Sequence, residues 1–200
     1  RFLNGVVIHP APCIRLESGS KQLSMRAMDL ISPIGMGQRG LIVAPPGSGK
    51  TTMLKHICQA VGEAYPEIKL YALLIDERPE EVTDFKRSVS AEVHASSSDE
   101  SYAQHVRVAD KLLDKAKGTG NMEIVLSRDV ASHRIFPALD IAKSSTRREE
   151  LLIDSKDIEK VRALRRSLTD LPPVDGTRKL VDLLEEYPTN AELLKAFSPA

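Results

Sequence analysis

Residues 44–51 read Ala44-Pro45-Pro46-Gly47-Ser48-Gly49-Lys50-Thr51, a stretch that fits G-x-x-x-x-G-K-[ST] with alanine in place of the first glycine. Small residues at Gly47, Ser48 and Gly49 let the backbone wrap closely around phosphate oxygens. Successive N–H groups then point inward, and the following helix adds its positive N-terminal end. In such a loop Lys50 neutralises β- and γ-phosphate charge, and the Thr51 hydroxyl holds a Mg²⁺ ion. The flanks agree. Gly40-Leu41-Ile42-Val43-Ala44 is an apolar run suited to a buried strand, and Met53, Leu54, Ile57, Cys58 and Val61 recur at helical spacing. Strand, loop and helix in that order predict a nucleoside triphosphate site.

Outward from the loop the pattern alternates. Lys69–Ile75 predicts a second buried strand, followed by Asp76-Glu77-Arg78-Pro79. Pro79 with Glu80 and Glu81 suits the first turn of a helix. Ala91–Ala95 predicts a short strand. Ser97-Ser98-Asp99-Glu100 reads as a capping box opening a helix with Tyr102, Val106, Ala109, Leu113 and Ala116 on one face. Met122–Leu126 predicts a strand and Arg134–Leu139 an extended piece. The expected fold class is therefore α/β, a parallel sheet flanked by helices. The last third reads as helical: Ile158, Val161, Leu164 and Leu168 make one stripe, and Leu180, Leu183 and Leu184 another. Thr189-x-x-Glu192 caps a final short helix. The expected organisation is a connector over 1–34, a phosphate-loop core over 35–150 and a helical part over 151–200.

Bulk properties narrow the class. Lys plus Arg and Asp plus Glu are 28 each, so nothing in net charge draws the chain toward nucleic acid or anionic membrane. Cys13 and Cys58 have no metal spacing, and the five histidines are scattered. No apolar run approaches the roughly 18 residues of a membrane span. The expectation is a cytoplasmic protein with no membrane partner.

Residues outside the loop have two readings each on spacing alone. Glu77 stands at the C-terminal end of its strand, where open parallel sheets bind ligands. It can polarise a water for attack on the γ-phosphate, or cap the next helix together with Asp76. Arg147 can reach a neighbour's γ-phosphate, or be half of a solvated pair with Arg148. Phe136 can stack on a base or fill the core.

Longer motifs carry a family resemblance. Ser32–Pro46 (SPIGMGQRGLIVAPP), Leu73–Val82 (LLIDERPEEV), Lys117–Met122 (KGTGNM) and Arg134–Asp140 with Ser145-Thr146-Arg147 closely resemble the RecA-like motor domain of bacterial transcription termination factor Rho. The similarity runs from about residue 9 to the C-terminus, and alanine at the first loop position is usual there. The resemblance implies a homohexameric RNA-dependent ATPase that uses ATP and Mg²⁺, with RNA and RNA polymerase as partners. It implies that Glu77 is the catalytic glutamate, working with Lys50, and that Arg78 lies near the nucleotide. Gly35, Met36, Gly37, Gln38, Arg39 and Gly40, and Gly47, Ser48, Gly49, Lys50, Thr51 and Thr52, correspond to nucleotide-binding segments, and Phe136 to the adenine-packing aromatic. Arg134 and Arg147 correspond to arginines that act across the subunit boundary, Arg147 as the finger.

Two parts of that family's pattern have no counterpart in these 200 residues: its OB-type RNA-binding domain and a long segment that should separate Lys111–Lys117 from Gly118–Met122. The latter carries the strand ending in the Walker B aspartate, a further core strand and the RNA-gripping loops. The flanks abut at Lys117-Gly118. Three readings follow: a working ATPase with that segment omitted, a nucleotide-binding remnant, or a module that docks on a ring-forming relative.

Overall fold

A computed structural model describes residues 10–113 and 121–197. The junction at Lys117-Gly118 and Ala116 of the predicted helical stripe lie outside these residues. The described residues open with β1 (Cys13–Ile14), a 3₁₀ turn (Leu16–Gly19) and α1 (Leu23–Ile31), then β2 (Ile34–Gly35), antiparallel to β1. The loop strand is β3 (Arg39–Val43), and α2 (Lys50–Ala64) follows the loop. Next come β4 (Tyr71–Glu77), α3 (Pro79–Ser88), β5 (Glu92–Ser97) and α4 (Tyr102–Leu113). After the undescribed residues lie β6 (Asn121–Val125), α5 (Arg128–Ser132) and β7 (Ser145–Thr146). Three helices, α6 (Ile158–Thr169), α7 (Pro173–Glu186) and α8 (Asn190–Ala196), complete it.

Strand pairing places β3 beside β6 in parallel register, Arg39 to Asn121 through Val43 to Val125, with β7 antiparallel on the far side of β6. β4 and β5 form a separate parallel pair. Parallel strands are normally covered on both faces and joined into larger sheets. Here β3 is the edge of its sheet, and among the described residues no strand bridges it to β4 or β5. Leu41 is 58% exposed and Val43 43% exposed, on a strand whose sequence reads as buried.

The largest core joins α1 (Met25, Met28, Ile31), the inner face of α2 (Met53, Ala60, Val61), β6 (Met122, Ile124) and the C-terminal helices (Leu164, Leu180, Leu193). A smaller one packs Leu74 of β4 against Val82 and Phe85 of α3, closed by Leu54 and Cys58. α2 thus carries the loop at its N-terminus and touches both cores. Burying a single leucine-sized side chain contributes about 1.5–3 kcal/mol, so these faces fix the helix firmly.

Several sequence expectations change in detail. Ser97-x-x-Glu100 is not the cap of α4: Glu100 N–H closes a turn on the Ser97 carbonyl at 2.9 Å, and Ser101 caps instead, its Oγ accepting from Gln104 N–H at 3.4 Å. The Glu100 carboxylate is drawn away by the Ser96 hydroxyl, 2.8 Å from it. Residues 134–139 are irregular rather than extended, tied to the sheet by one antiparallel bridge, Leu126 to Leu139. Tyr102 is 81% exposed, so the first residue of the predicted α4 stripe faces solvent.

Candidate active site

The loop is built by two left-handed glycines. Gly47 has φ +75° and Gly49 φ +92°, conformations that an L side chain resists. Between them Ser48 is buried, and its hydroxyl donates to the Pro45 carbonyl at 2.6 Å while its N–H reaches the same oxygen at 3.3 Å. This closes the turn and turns the chain into α2. Gly49 is the N-cap of α2, and no side chain caps that end. The first N–H groups of a 15-residue helix therefore open onto the cavity with its positive dipole end.

That cavity, about 710 Å³, is lined by Pro45–Gly47, Gly49–Thr52, Glu77, Arg78, Glu81 and Phe136. Lys50, Thr51, Thr52, Arg78, Glu77 and Phe136 are thus brought together as the sequence led one to expect. Glu81, one turn into α3, was legible only as an acidic helix start. Ser48 supports the loop from beneath.

Glu77 reaches the cavity through a bulge. β4 and β5 pair in step to Ile75 and Ser96, then Glu77 pairs with Ser97, leaving Asp76 extra at φ +57°. A bulge re-aims the next side chain. Asp76 turns to solvent, and Glu77 Oε1 accepts from Lys50 Nζ at 2.9 Å. Ser98 N–H donates to the Glu77 carbonyl at 2.9 Å and braces the strand end. α3 has Arg78 at its N-cap position and no side-chain cap bond, so neither acid caps it.

The remaining candidates stand apart from the cavity. Gly35 ends β2, Met36–Gln38 make the turn, and Arg39 and Gly40 begin β3, with the Gly35 N–H donating to Gln38 Oε1 at 2.6 Å. The turn sits at the opposite end of β3 from the loop, about 16 Å away at 3.3 Å per residue. The strand runs away from this turn, and none of these residues lines the loop cavity. Arg134 (φ +59°) and Arg147 are exposed and line no part of the cavity. Arg148, beside Arg147, is held by Glu150 at 2.6 Å. Phe136 is 49% exposed, its ring beside the loop and outside the core.

A second, more apolar cavity of about 400 Å³ adjoins the first and shares Gly49, Thr52 and Phe136 with it. Its other walls come from the start of α1 (Gln22, Leu23, Ser24), from Met53 and His56 of α2, and from Pro137. Ser24 Oγ lies 2.8 Å from His56 Nδ1, tying α1 to α2. Burial lowers the pKa of His56 and favours the neutral ring. Sequence reasoning missed this cavity, because its residues come from segments over a hundred positions apart.

Comparison with known proteins supplies the context. Residues 40–127 match the family described as ATPase family associated with various cellular activities (AAA). Transcription termination factor Rho of Haemophilus influenzae is 33% identical, over 97% of this chain and 67% of its own length. Rho of Streptomyces coelicolor is 32% identical over 99% of this chain and 68% of its own. The first of these matches spans 282 positions against a chain of 200 residues, so at least 82 positions have no residue here. Among solved structures, an ATPase from the type III secretion system of pathogenic bacteria superposes with a TM-score of 0.60 at 18% identity, over 96% of this chain and 86% of that one. That likeness shows the shared α/β ATPase fold.

Proposed function

Because the chain belongs to the family of transcription termination factor Rho, we propose that its loop cavity binds ATP with Mg²⁺ as the nucleotide site of an RNA-driven motor. The observation that carries the proposal is the convergence of an uncapped helix N-terminus, Lys50, Thr51 and Glu77 on one cavity. The triphosphate's charge meets the α2 dipole and the Lys50 ammonium. Lys50 must then exchange Glu77 for phosphate oxygens, which releases Glu77 to take the proton of an attacking water. Phosphate arrival thereby arms the base.

The donors present fit Mg²⁺: the Thr51 hydroxyl and the Glu77 and Glu81 carboxylates are hard oxygen groups around one cavity. When bound, the ion neutralises charge on the transferring phosphoryl group. Exposed Arg134 and Arg147, away from their own chain's cavity, suit a role on a neighbouring subunit's nucleotide, Arg147 as the finger. Gly35–Gly40 contribute to nucleotide binding only from such a neighbour.

The proposal extends to the gap in the sheet. A segment between Lys117 and Gly118, matching the positions without residues here, supplies the strands between β3 and the β4–β5 pair together with the RNA-contacting loops. Without it the expected activity is nucleotide binding with little turnover. The test is ATP hydrolysis with and without RNA, on the 200-residue chain and on a version carrying the 82 or more positions taken from a Rho relative. RNA-stimulated turnover only in the second, abolished by Glu77→Ala, is expected. Equal RNA-stimulated turnover in both would contradict the role given to the segment.

A further inference from the structure

We infer that Glu149 and Arg165 are positioning residues for Arg147, fixing the stretch that presents it to a neighbouring subunit's triphosphate. The inference rests on the reading of Arg147 as a finger and names what aims it. A finger works only from a set place, because it stabilises charge that develops at one point in the transition state. A long, exposed arginine side chain has many rotamers and supplies little of that precision, so the backbone beneath it must. Arg147 follows β7 and is anchored on both sides. One residue before it, the buried Thr146 hydroxyl donates to the Pro33 carbonyl at 2.8 Å. Two residues after it, the Glu149 carboxylate lies 3.4 Å from Arg165 Nη1 and 3.6 Å from Arg162 Nε. Between these anchors Arg148, at φ +63°, turns the chain into a 3₁₀ turn (Glu149–Leu151).

Arg165 is the brace. Its Nη1 donates to Glu149, and its Nη2 donates to the Ser144 carbonyl at 3.2 Å and to the Ile31 carbonyl, the last of α1. Both ends of residues 144–149 are thus closed onto one planar group, which is set against the end of a helix of the main core. A forked guanidinium can hold several acceptors in this way, and a single ammonium cannot. The surrounding cations sort accordingly. Arg148 pairs with Glu150, Arg162 with Glu149 and Glu159, and Lys143 with Asp140. The Arg147 guanidinium has no hydrogen bond or ion pair among the described residues, which leaves it free for an anion outside its own chain. Burial lowers the pKa of Arg165, and the Glu149 charge opposes that. Loss of Glu149 therefore strips the compensating charge from a brace whose side chain is only 22% exposed.

Steady-state ATP hydrolysis with RNA, on the version carrying the intervening segment, tests this through a double-substitution cycle. Arg147→Ala is expected to lower kcat about 10³-fold, the low end of what a finger contributes. Glu149→Ala is expected to lower kcat about 10²-fold, as a misplacement of about 1 Å does. Its KM for ATP is expected to stay within about twofold, since the variant's own loop is untouched. Glu149→Gln, which keeps an oxygen to accept from Arg165, is expected to recover part of the loss. Arg165→Lys, which keeps the charge and loses the fork, is expected to behave like Glu149→Ala. In the Arg147→Ala background, Glu149→Ala is expected to lower kcat no further, because both act through one group. Losses that multiply in the double variant would overturn the inference, as would an unaltered kcat in Glu149→Ala. An unaltered kcat in Arg147→Ala would overturn the finger reading, and this inference with it. Absent turnover in the unsubstituted version would do the same to the motor reading.

Discussion

Lys50 and Glu77 hold each other at 2.9 Å across the mouth of the cavity, and each is the other's charge partner in the nucleotide-free chain. Lys50→Ala is expected to abolish nucleotide binding, whereas Glu77→Gln is expected to keep it, since the loop and α2 N-terminus remain. Asp76 belongs to the same device. Its φ of +57° is tolerated by Asp but strained in a β-branched residue. Asp76→Val is expected to cost roughly 1–2 kcal/mol in denaturant unfolding, and Asp76→Gly to be nearly neutral. Away from the site, Asp29 accepts N–H bonds from Leu16 and Glu17 at 3.0 and 2.9 Å. Burial, opposed by those bonds, pushes its pKa up from 3.8 to about 6. The folded state then holds a proton that the unfolded state releases. This contribution to stability is fully present below about pH 4 and is lost as pH rises toward 6. Asp29→Asn is expected to remove that part of the pH dependence in thermal melts. At this scale the loop residues were legible because their chemistry is local. The Ser24–His56 pair was not, since nothing in sequence brings residues 24 and 56 together.

Each secondary-structure element shows how much its local sequence decides. Thr189 Oγ1 accepts from Glu192 N–H at 3.2 Å, as the Thr-x-x-Glu spacing indicates. Thr189→Ala is expected to cost about 1 kcal/mol. Pro79 starts α3 with Glu80 and Glu81 in its first turn, again as read. α4 departs from its reading because a closer competitor, the Ser96 hydroxyl, takes Glu100. The bulge in β4 was invisible for the same kind of reason, since it arises from pairing with β5. β3 is the instructive case: its composition states a buried strand, yet Leu41 and Val43 are open. An apolar parallel edge invites pairing with another chain. The 200-residue chain is expected to self-associate at rising concentration in light scattering, and Leu41→Lys to suppress this.

At the scale of the whole molecule, the β3–β6–β7 sheet and the β4–β5 pair are joined through α2, and the C-terminal helices share the core of the loop strand's sheet. The α/β class and the order of elements were legible, because periodicity and the loop motif fix them. The separation of the β3–β6–β7 sheet from the β4–β5 pair was not, because it depends on which strands are present to lie between β3 and β4. The proposed segment between Lys117 and Gly118 would cover the open β3 edge, so an intact mass well above 22.0 kDa is expected for the natively encoded protein if that proposal holds. On the proposed reading the site holds a nucleotide without those strands, since the loop, Lys50 and the start of α2 are all present. The deciding measurement is the melting temperature of the 200-residue chain with and without excess MgATP, beside Lys50→Ala. A saturable upward shift, about 2.7 kcal/mol of stabilisation at a hundredfold excess over Kd, that vanishes in Lys50→Ala is the expected result. No shift, or an equal shift in both proteins, would contradict the assignment of this loop as a nucleotide site.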